Sequence, residues 1–293
     1  MPSVAAAESV RSPPPTPWRL LARAVTGNPL SLLAGAMLVL FLGAALFGPA
    51  LAPHDPLLTN ASRTLAPPSA DHWFGTDQLG RDIFSRVLAG TRVDFLIALG
   101  SVSLAATLGT TLGMCAGFLG GRTDRLVGRA MDMLMAFPLF VLAMAIVAAL
   151  GNSVANIVCA SALINLPFYV RLARTETGVL RQAGFIEAAR LSGARTPRIL
   201  RRHVLPNLLA PLSVQASLNM GWAMLNAAGL SFIGLGLRPP APEWGLMVSE
   251  GAGYVVSGEW WVPLFPGIAL MLSVLTFNLL GDTLPAVVDP RRR

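Results

Sequence analysis

Charged residues are absent from five long windows of this sequence, and that spacing constrains the fold more than any other feature. The windows free of Asp, Glu, Arg and Lys are 24–54, 95–121, 133–170, 204–237 and 260–281. A helix needs about 20 apolar residues to cross the hydrocarbon core of a bilayer. Four windows fit one crossing each, and the longest fits two, with the turn-forming run Gly151-Asn152-Ser153 at its middle. We therefore predict an all-α membrane protein with six transmembrane helices.

The basic residues other than histidine are all arginines, and most of them fall on one side of the predicted membrane. If the N-terminus is cytoplasmic, 17 of the 22 arginines lie inside and 5 lie outside. Basic residues concentrate in cytoplasmic loops, so both termini are predicted to be cytoplasmic. The net charge of +7 is then explained by the membrane topology and by attraction to the lipid bilayer. Nucleic acid is therefore not an expected partner.

The predicted helices divide the chain into three parts. Residues 1–27 are rich in Pro, Ala and Ser and are predicted to form a disordered cytoplasmic tail. Residues 28–92 hold the first transmembrane helix and an external loop. Residues 93–293 form a core of five helices, with a basic cytoplasmic segment at 171–206.

Several enzyme classes are excluded by the residues that the sequence lacks. Without lysine there is neither a P-loop nor a Schiff-base site. No His-Glu-x-x-His or Gly-x-Ser-x-Gly pattern occurs, which argues against a membrane-embedded enzyme. Three scattered histidines predict no metal site.

Small residues recur every four positions along the second predicted helix. Such a ridge lets another helix approach closely in lipid, so it predicts a packing seam. Its members are Ser101, Ala105, Gly109, Gly113, Gly117 and Gly121.

The cytoplasmic segment carries the most informative pattern. Glu187-Ala188-Ala189 and Gly193 predict a short helix with a small-residue face, ended by a glycine suited to the left-handed cap conformation. A second helix then leads to Leu205-Pro206-Asn207, where a proline is tolerated at a helix start. A compact helical element of this kind is suited to docking another protein.

This pattern resembles the EAA loop of ABC importer permeases. The resemblance implies a type I ABC importer permease fold in the cytoplasmic (inner) membrane, crossed several times by the chain. It also implies that the loop is a coupling helix seated in a groove of the ATP-hydrolysing subunit. The positions that match are Glu187, Ala188, Ala189 and Gly193.

Further motifs resemble the dipeptide, oligopeptide and nickel branch of that family, over about 28–293. One lies in the external loop, at Phe74, Gly75, Thr76, Asp77, Gly80, Arg81 and Asp82. Others are Leu230–Gly236 with Glu243-Trp244-Gly245, and Asn278–Asp282 with Asp289-Pro290-Arg291.

The resemblance implies a pore-forming subunit that imports di- or oligopeptides and performs no chemistry itself. Its implied partners are a second homologous permease, two ABC ATPase subunits and an extracytoplasmic solute-binding protein. This chain is expected to hold no cofactor, because ATP and Mg²⁺ bind to the ATPase subunits.

Polar residues inside predicted spans are candidates for the translocation path, since polar groups facing lipid are costly. They are Asn165, Gln215, Asn219, Asn226 and Asn278. Hydrogen bonding between helices is the ordinary alternative for any one of them. For Asp77 and Asp82, helix caps, Asx-turns and contacts to a docking partner all stay open.

Two alternative functions deserve comparison. The same architecture could carry nickel or another small solute, since the external motifs do not distinguish these cargoes. An ion-coupled secondary transporter predicts carboxylates at mid-membrane. The five uncharged windows hold none, which argues against it.

Overall fold

The computed structural model describes residues 29–288, with side chains as far as Thr283. The predicted N-terminal tail and the last five residues lie outside this range, so the tail and the sidedness of both termini stay predictions. The described residues form helices, turns and loops, with one isolated bridge between Thr76 and Asp82. The helices are α1 Pro29–Leu51, α2 Ile83–Leu119, α3 Gly121–Met135, α4 Leu139–Leu150, α5 Val154–Leu180, α6 Gly184–Leu191, α7 Thr196–Ile199, α8 Leu205–Phe232, α9 Trp244–Ala252 and α10 Trp261–Val288.

Four of these helices are long and apolar enough to cross a membrane, and a fifth crossing is possible if α3 and α4 count together. The count of six is therefore not confirmed. The four are α1, α2, α5 and α10. The uncharged window 204–237 does form a helix of 28 residues, α8, but this helix is not among the four, because amides and serines interrupt its apolar stretches.

The predicted span that precedes the turn at Gly151, at about 132–150, is the third along the chain, and it is not one straight helix. It begins inside α3 and breaks before Pro138, and α3 meets α4 at an angle of 85°. Proline disfavours helical backbone at the residue before it, which explains the break. The 12 residues of α4 span only about 18 Å, which is shorter than a hydrocarbon core of about 30 Å.

The hairpin at the centre of the longest window is confirmed. Gly151 ends α4 with φ +94°, and its N–H donates to the Val147 carbonyl over 2.8 Å. Ser153 then caps α5 by accepting from the N–H of Asn156. The Asn156 side chain closes the turn with a 2.8 Å hydrogen bond to the Leu150 carbonyl.

The small-residue ridge of α2 packs directly on α5. A Cβ added at Gly109, Gly113 or Gly117 would lie 2.4–2.6 Å from atoms of α5. Those distances are too short for any side chain, so the glycines set how closely the two backbones approach. Gly121 lies beyond the end of α2, and a Cβ there would meet nothing within 4 Å, so its place in the predicted seam is wrong.

Candidate translocation path and coupling surface

The short helix α6 carries the Glu-Ala-Ala pattern on the surface of the chain. Its one buried residue is Ile186, which anchors it to the core. Glu187 and Ala188 are exposed, and Ala189 is half-buried. The Arg190 guanidinium lies 4.9 Å above the centre of the Phe118 ring, which holds α6 against the end of α2.

Gly193 ends α6 as the sequence predicted. Its φ is +77°, and its N–H donates to the Arg190 carbonyl over 2.9 Å. The next N–H, of Ala194, donates to the Ala189 carbonyl over 3.0 Å. These two bonds form a Schellman motif, in which a glycine supplies the left-handed residue.

Two large apolar side chains project from α6 away from the core. Leu191 is 85% exposed and Phe185 is 45% exposed. Successive helical residues turn by 100°, so both lie with Ala188 on an arc facing away from Ile186. We call Phe185, Glu187, Ala188 and Leu191 the coupling face. Its two large apolar members were not identified from the sequence, although their spacing around Ile186 contained the signal.

The coupling face connects to one long helical rod. After Gly193, α7 continues through a π-helical turn, Leu200–Val204, into α8. Residues 196–232 therefore form an unbroken helical path of about 55 Å. Ile199 and Val204 are buried and fix the end of this path that is nearest to α6.

A cavity of about 400 Å³ lies between α4, α5 and α8. Four of the five predicted path residues line it, together with aromatic and aliphatic side chains. The lining residues are Leu139, Phe140, Ile164, Asn165, Phe168, Gln215, Leu218, Asn219, Trp222 and Asn226. Asn278 is absent from this lining and is exposed on α10, near Gly221.

Three of the four cavity amides are bonded within their own helices. Gln215 donates to Asn219 Oδ1 over 2.9 Å, and Asn165 donates to the Ser161 carbonyl over 2.7 Å. Asn219 Nδ2 is buried and has no hydrogen-bond partner among the described residues. These bonds do not join helices. Ser217 does join them, by donating to the Phe277 carbonyl of α10 over 2.6 Å.

The predicted external loop ends earlier than residue 92, because α2 begins at Ile83, and the loop at 52–82 is held by a buried network of charges. Arg81 donates to Asp77 over 2.6 Å and lies 3.4 Å from Glu250 of α9. Arg86 lies 3.5 Å from Asp77 and 3.9 Å from Glu250. Both arginine side chains are 1% exposed. The network therefore ties the external loop to the other end of the sequence.

Asp77 and Asp82 have structural roles here. Asp77 Oδ1 accepts from the N–H of Leu79 over 2.8 Å, which is an Asx-turn. Asp82 caps α2, since its Oδ2 accepts from the N–H and hydroxyl of Ser85. Because both carboxylates are buried, they are not placed to contact a docking partner directly.

The rest of the external-loop motif also packs inward. The ring of Phe74 stacks on Phe265 of α10 at 4.0 Å, and Thr76 is fully buried. Gly75 and Gly80 have φ of +74° and +72° and approach backbone carbonyls too closely for a side chain.

The Glu-Trp-Gly motif after α8 is a second structural element of this face. Glu243 is fully buried and caps α9, accepting from the N–H groups of Gly245 and Leu246. Trp244 is also fully buried and donates through Nε1 to the Val87 carbonyl of α2 over 3.0 Å. The motif thus fastens α9 to α2.

Two family models match the sequence of this chain, and one solved structure matches its fold. Residues 109–293 match the family described as binding-protein-dependent transport system inner membrane component, and 16–68 match the N-terminal domain of oligopeptide transport permease C. A solved structure of the MetNI methionine ABC transporter, in an inward-facing conformation, matches with a TM-score of 0.57. It is 18% identical over 69% of this chain and 96% of that chain, which shows the fold alone.

Curated relatives cover nearly the whole chain. The "Probable D,D-dipeptide transport system permease protein DdpC" of Escherichia coli K12 is 46% identical over 90% of this chain and 89% of its own length. The dipeptide transport system permease protein DppC of Alkalihalophilus pseudofirmus is 43% identical, covering 96% and 95%. The glutathione transport system permease protein GsiD of Pectobacterium atrosepticum is 42% identical, covering 94% and 92%. The chain is therefore an integral-membrane permease that belongs to the family of inner-membrane components of binding-protein-dependent transport systems.

Proposed function

We propose that this chain forms one half of the pore of an ABC importer that brings di- or oligopeptides into the cell. The other half is a second, unlike permease of the same family. Two ATPase subunits bind ATP and Mg²⁺ and perform the hydrolysis, and an extracytoplasmic binding protein delivers the peptide. The dipeptide and glutathione permeases named above support a peptide cargo.

The observation that carries this proposal is the uncharged, amide-lined cavity beside α8. Amide side chains offer donors and acceptors that match a peptide backbone, whatever side chains the peptide carries. Phe140, Phe168 and Trp222 add apolar surface for those side chains. Asn219 contributes one of these amides, and its Nδ2 is buried in the cavity wall without a hydrogen-bond partner among the described residues.

The same cavity argues against a bare metal ion as the cargo. Nickel and zinc prefer imidazole, thiolate or carboxylate ligands. The cavity lining contains none of them. Membership of a binding-protein-dependent family also excludes the ion-coupled secondary transporter.

The mechanism follows from the rod that joins the coupling face to the cavity. Closure of the ATPase subunits on ATP displaces α6, and α6 moves the rod 196–232. Since Gln215, Asn219 and Asn226 lie on that rod, their displacement changes the cavity between inward-open and outward-open states. ATP then shifts the population because the ATPase subunits bind the two states differently.

A paired substitution tests the assignment of the path. We expect Asn219→Leu to reduce peptide uptake about tenfold, as one buried hydrogen bond to the cargo is lost. Asn278→Leu makes the same chemical change outside the cavity and should leave uptake unchanged. The assay is uptake of a labelled dipeptide into proteoliposomes that contain the whole complex and its binding protein.

Two results decide against the proposal. Equal uptake by both variants and the wild type removes Asn219 from the path. Failure of the reconstituted wild type to accumulate any di- or oligopeptide, with uptake of another solute instead, rejects the peptide cargo. Insertion and basal ATP hydrolysis are measured in each sample, so that misfolded complexes are recognised.

A further inference from the structure

Two histidines lie beside one buried carboxylate in the external loop. His54 follows α1, His72 lies 18 residues further on, and Asp82 caps α2. His72 Nδ1 lies 2.8 Å from Asp82 Oδ1, and His54 Nδ1 lies 3.8 Å from Asp82 Oδ2. The centres of the two imidazole rings are 4.7 Å apart. Scattered in the sequence, these residues predicted no site, but folding of the external loop brings them together.

Their spacing fits a tetrahedral metal ion. Zinc bonds of 2.0–2.1 Å place neighbouring tetrahedral ligands about 3.3 Å apart. The two observed nitrogen–oxygen distances, 2.8 Å to Asp82 Oδ1 from His72 and 3.8 Å to Asp82 Oδ2 from His54, lie on either side of that value. All three ligand atoms lie within 4.8 Å of one another. Side-chain shifts below about 1 Å therefore complete a three-ligand site.

The surroundings favour a cation. The three residues line a cavity of about 310 Å³, whose wall also includes Asp55 and Asp71. Arg63 is the one basic residue in that wall apart from the histidines. The side chains of His72 and Asp82 are 9% and 2% exposed, whereas that of His54 is 40% exposed. The ion would thus bind between a buried floor and an open side that water can occupy.

We propose that His54, His72 and Asp82 bind a divalent transition-metal ion, for which Zn²⁺ is the matched probe. Imidazole nitrogen and carboxylate oxygen are the ligands that Zn²⁺ takes in proteins. The bound ion joins the segment after α1 to the first turn of α2. It therefore stabilises the external loop by mass action, since the unfolded loop does not hold the three ligands together.

Arg63 opposes this binding. Its Nη1 lies 3.0 Å from His72 Nε2 and 3.3 Å from Asp71 Oδ2. Without metal, the N–H at Nδ1 of His72 donates to Asp82, and Nε2 of His72 accepts from Arg63. A metal on Nδ1 moves that proton to Nε2, which then faces the N–H donors of Arg63. The guanidinium must turn fully to Asp71, so removal of Arg63 should tighten metal binding.

The test uses the full-length chain in detergent, with any affinity tag removed. Zinc binding is measured by equilibrium dialysis with a competing chelator. We expect one Zn²⁺ per chain in the wild type and at least about 100-fold weaker binding in His54→Ala, since even outer-shell partners contribute 10–100-fold. His54 is suitable because its ring has no hydrogen-bond partner among the described residues.

Two further variants sharpen the result. His203→Ala removes the third histidine, which lies before α8, and should bind zinc like the wild type. Arg63→Gln should bind zinc more tightly. A zinc-dependent rise in Tm should appear in the wild type and be lost in His54→Ala. No stoichiometric binding, equal binding in His54→Ala and the wild type, or loss of binding in His203→Ala would each overturn the proposal.

Discussion

Leu191 offers the sharpest test of the coupling face. Its side chain is 85% exposed, on the part of α6 that faces away from the buried Ile186. Replacing it with Ser should leave insertion and folding of the permease unchanged, because the side chain has few contacts to lose. It should weaken docking of the ATPase subunit, where we propose that the side chain becomes buried.

The size of the effect follows from the exposed area. Full burial of a leucine side chain contributes about 1.5–3 kcal/mol. Because nearly all of the Leu191 side chain is still accessible, most of that free energy is gained only on docking. Its loss should raise the dissociation constant of the ATPase subunit by about 10- to 80-fold.

The measurement is a titration of ATPase subunits onto the permease pair in nanodiscs, with peptide-stimulated ATP hydrolysis as a second readout. Leu126→Ser is the matched control, since Leu126 is 70% exposed on α3, outside the coupling face. We expect this variant to bind like the wild type. If Leu191→Ser also binds with wild-type affinity, α6 does not dock through this face.

Two stability predictions concern the helices that position the path. Gly113→Ala places a Cβ 2.5 Å from the Val170 carbonyl oxygen and should lower the free energy of unfolding by about 1–3 kcal/mol. Gly178→Ala is the control in α5, where a Cβ meets nothing within 4 Å. It should leave the free energy of unfolding unchanged or raise it by up to about 1 kcal/mol. Equal Tm values for the two variants in detergent would show that α2 and α5 do not pack through this seam. Arg81→Met leaves Asp77 buried beside Arg86 alone and should destabilise the external loop by about 3 kcal/mol, near the lower end for a broken buried ion pair. Thermal unfolding and protease sensitivity of the external loop measure this loss, and an unchanged Tm contradicts it.

Local patterns predicted several features correctly because their causes are local. Gly193 ends α6 because a left-handed residue after a helix favours glycine wherever the helix lies. The turn at Gly151 separates two apolar helices for the same reason. The α2 seam was predicted by its period of four, which places small residues on one face.

Other features were missed because they depend on residues far apart in the sequence. The partner of Arg81 in α9, Glu250, lies 169 residues away, so the sequence did not predict the buried network of charges that joins them. Asn278 and Asn219 are chemically alike, but only Asn219 faces the cavity, since helix rotation in the bundle decides which side each presents. The exposed Phe185 and Leu191 were overlooked because their exposure depends on which face of α6 packs on the core, and the structure shows that this is the face of Ile186.

The sequence by itself determined that the chain is a helical membrane protein that carries an EAA motif. This was possible because both signals are local. A membrane span is recognised from about 20 consecutive uncharged residues, and the end of a helix from the few residues around it. Only the tertiary structure decided that four amides meet at one cavity, and that His54, His72 and Asp82 share one site. Both features depend on how helices and loops approach each other in space. Their side chains lie far apart in the sequence, and no repeating pattern connects them.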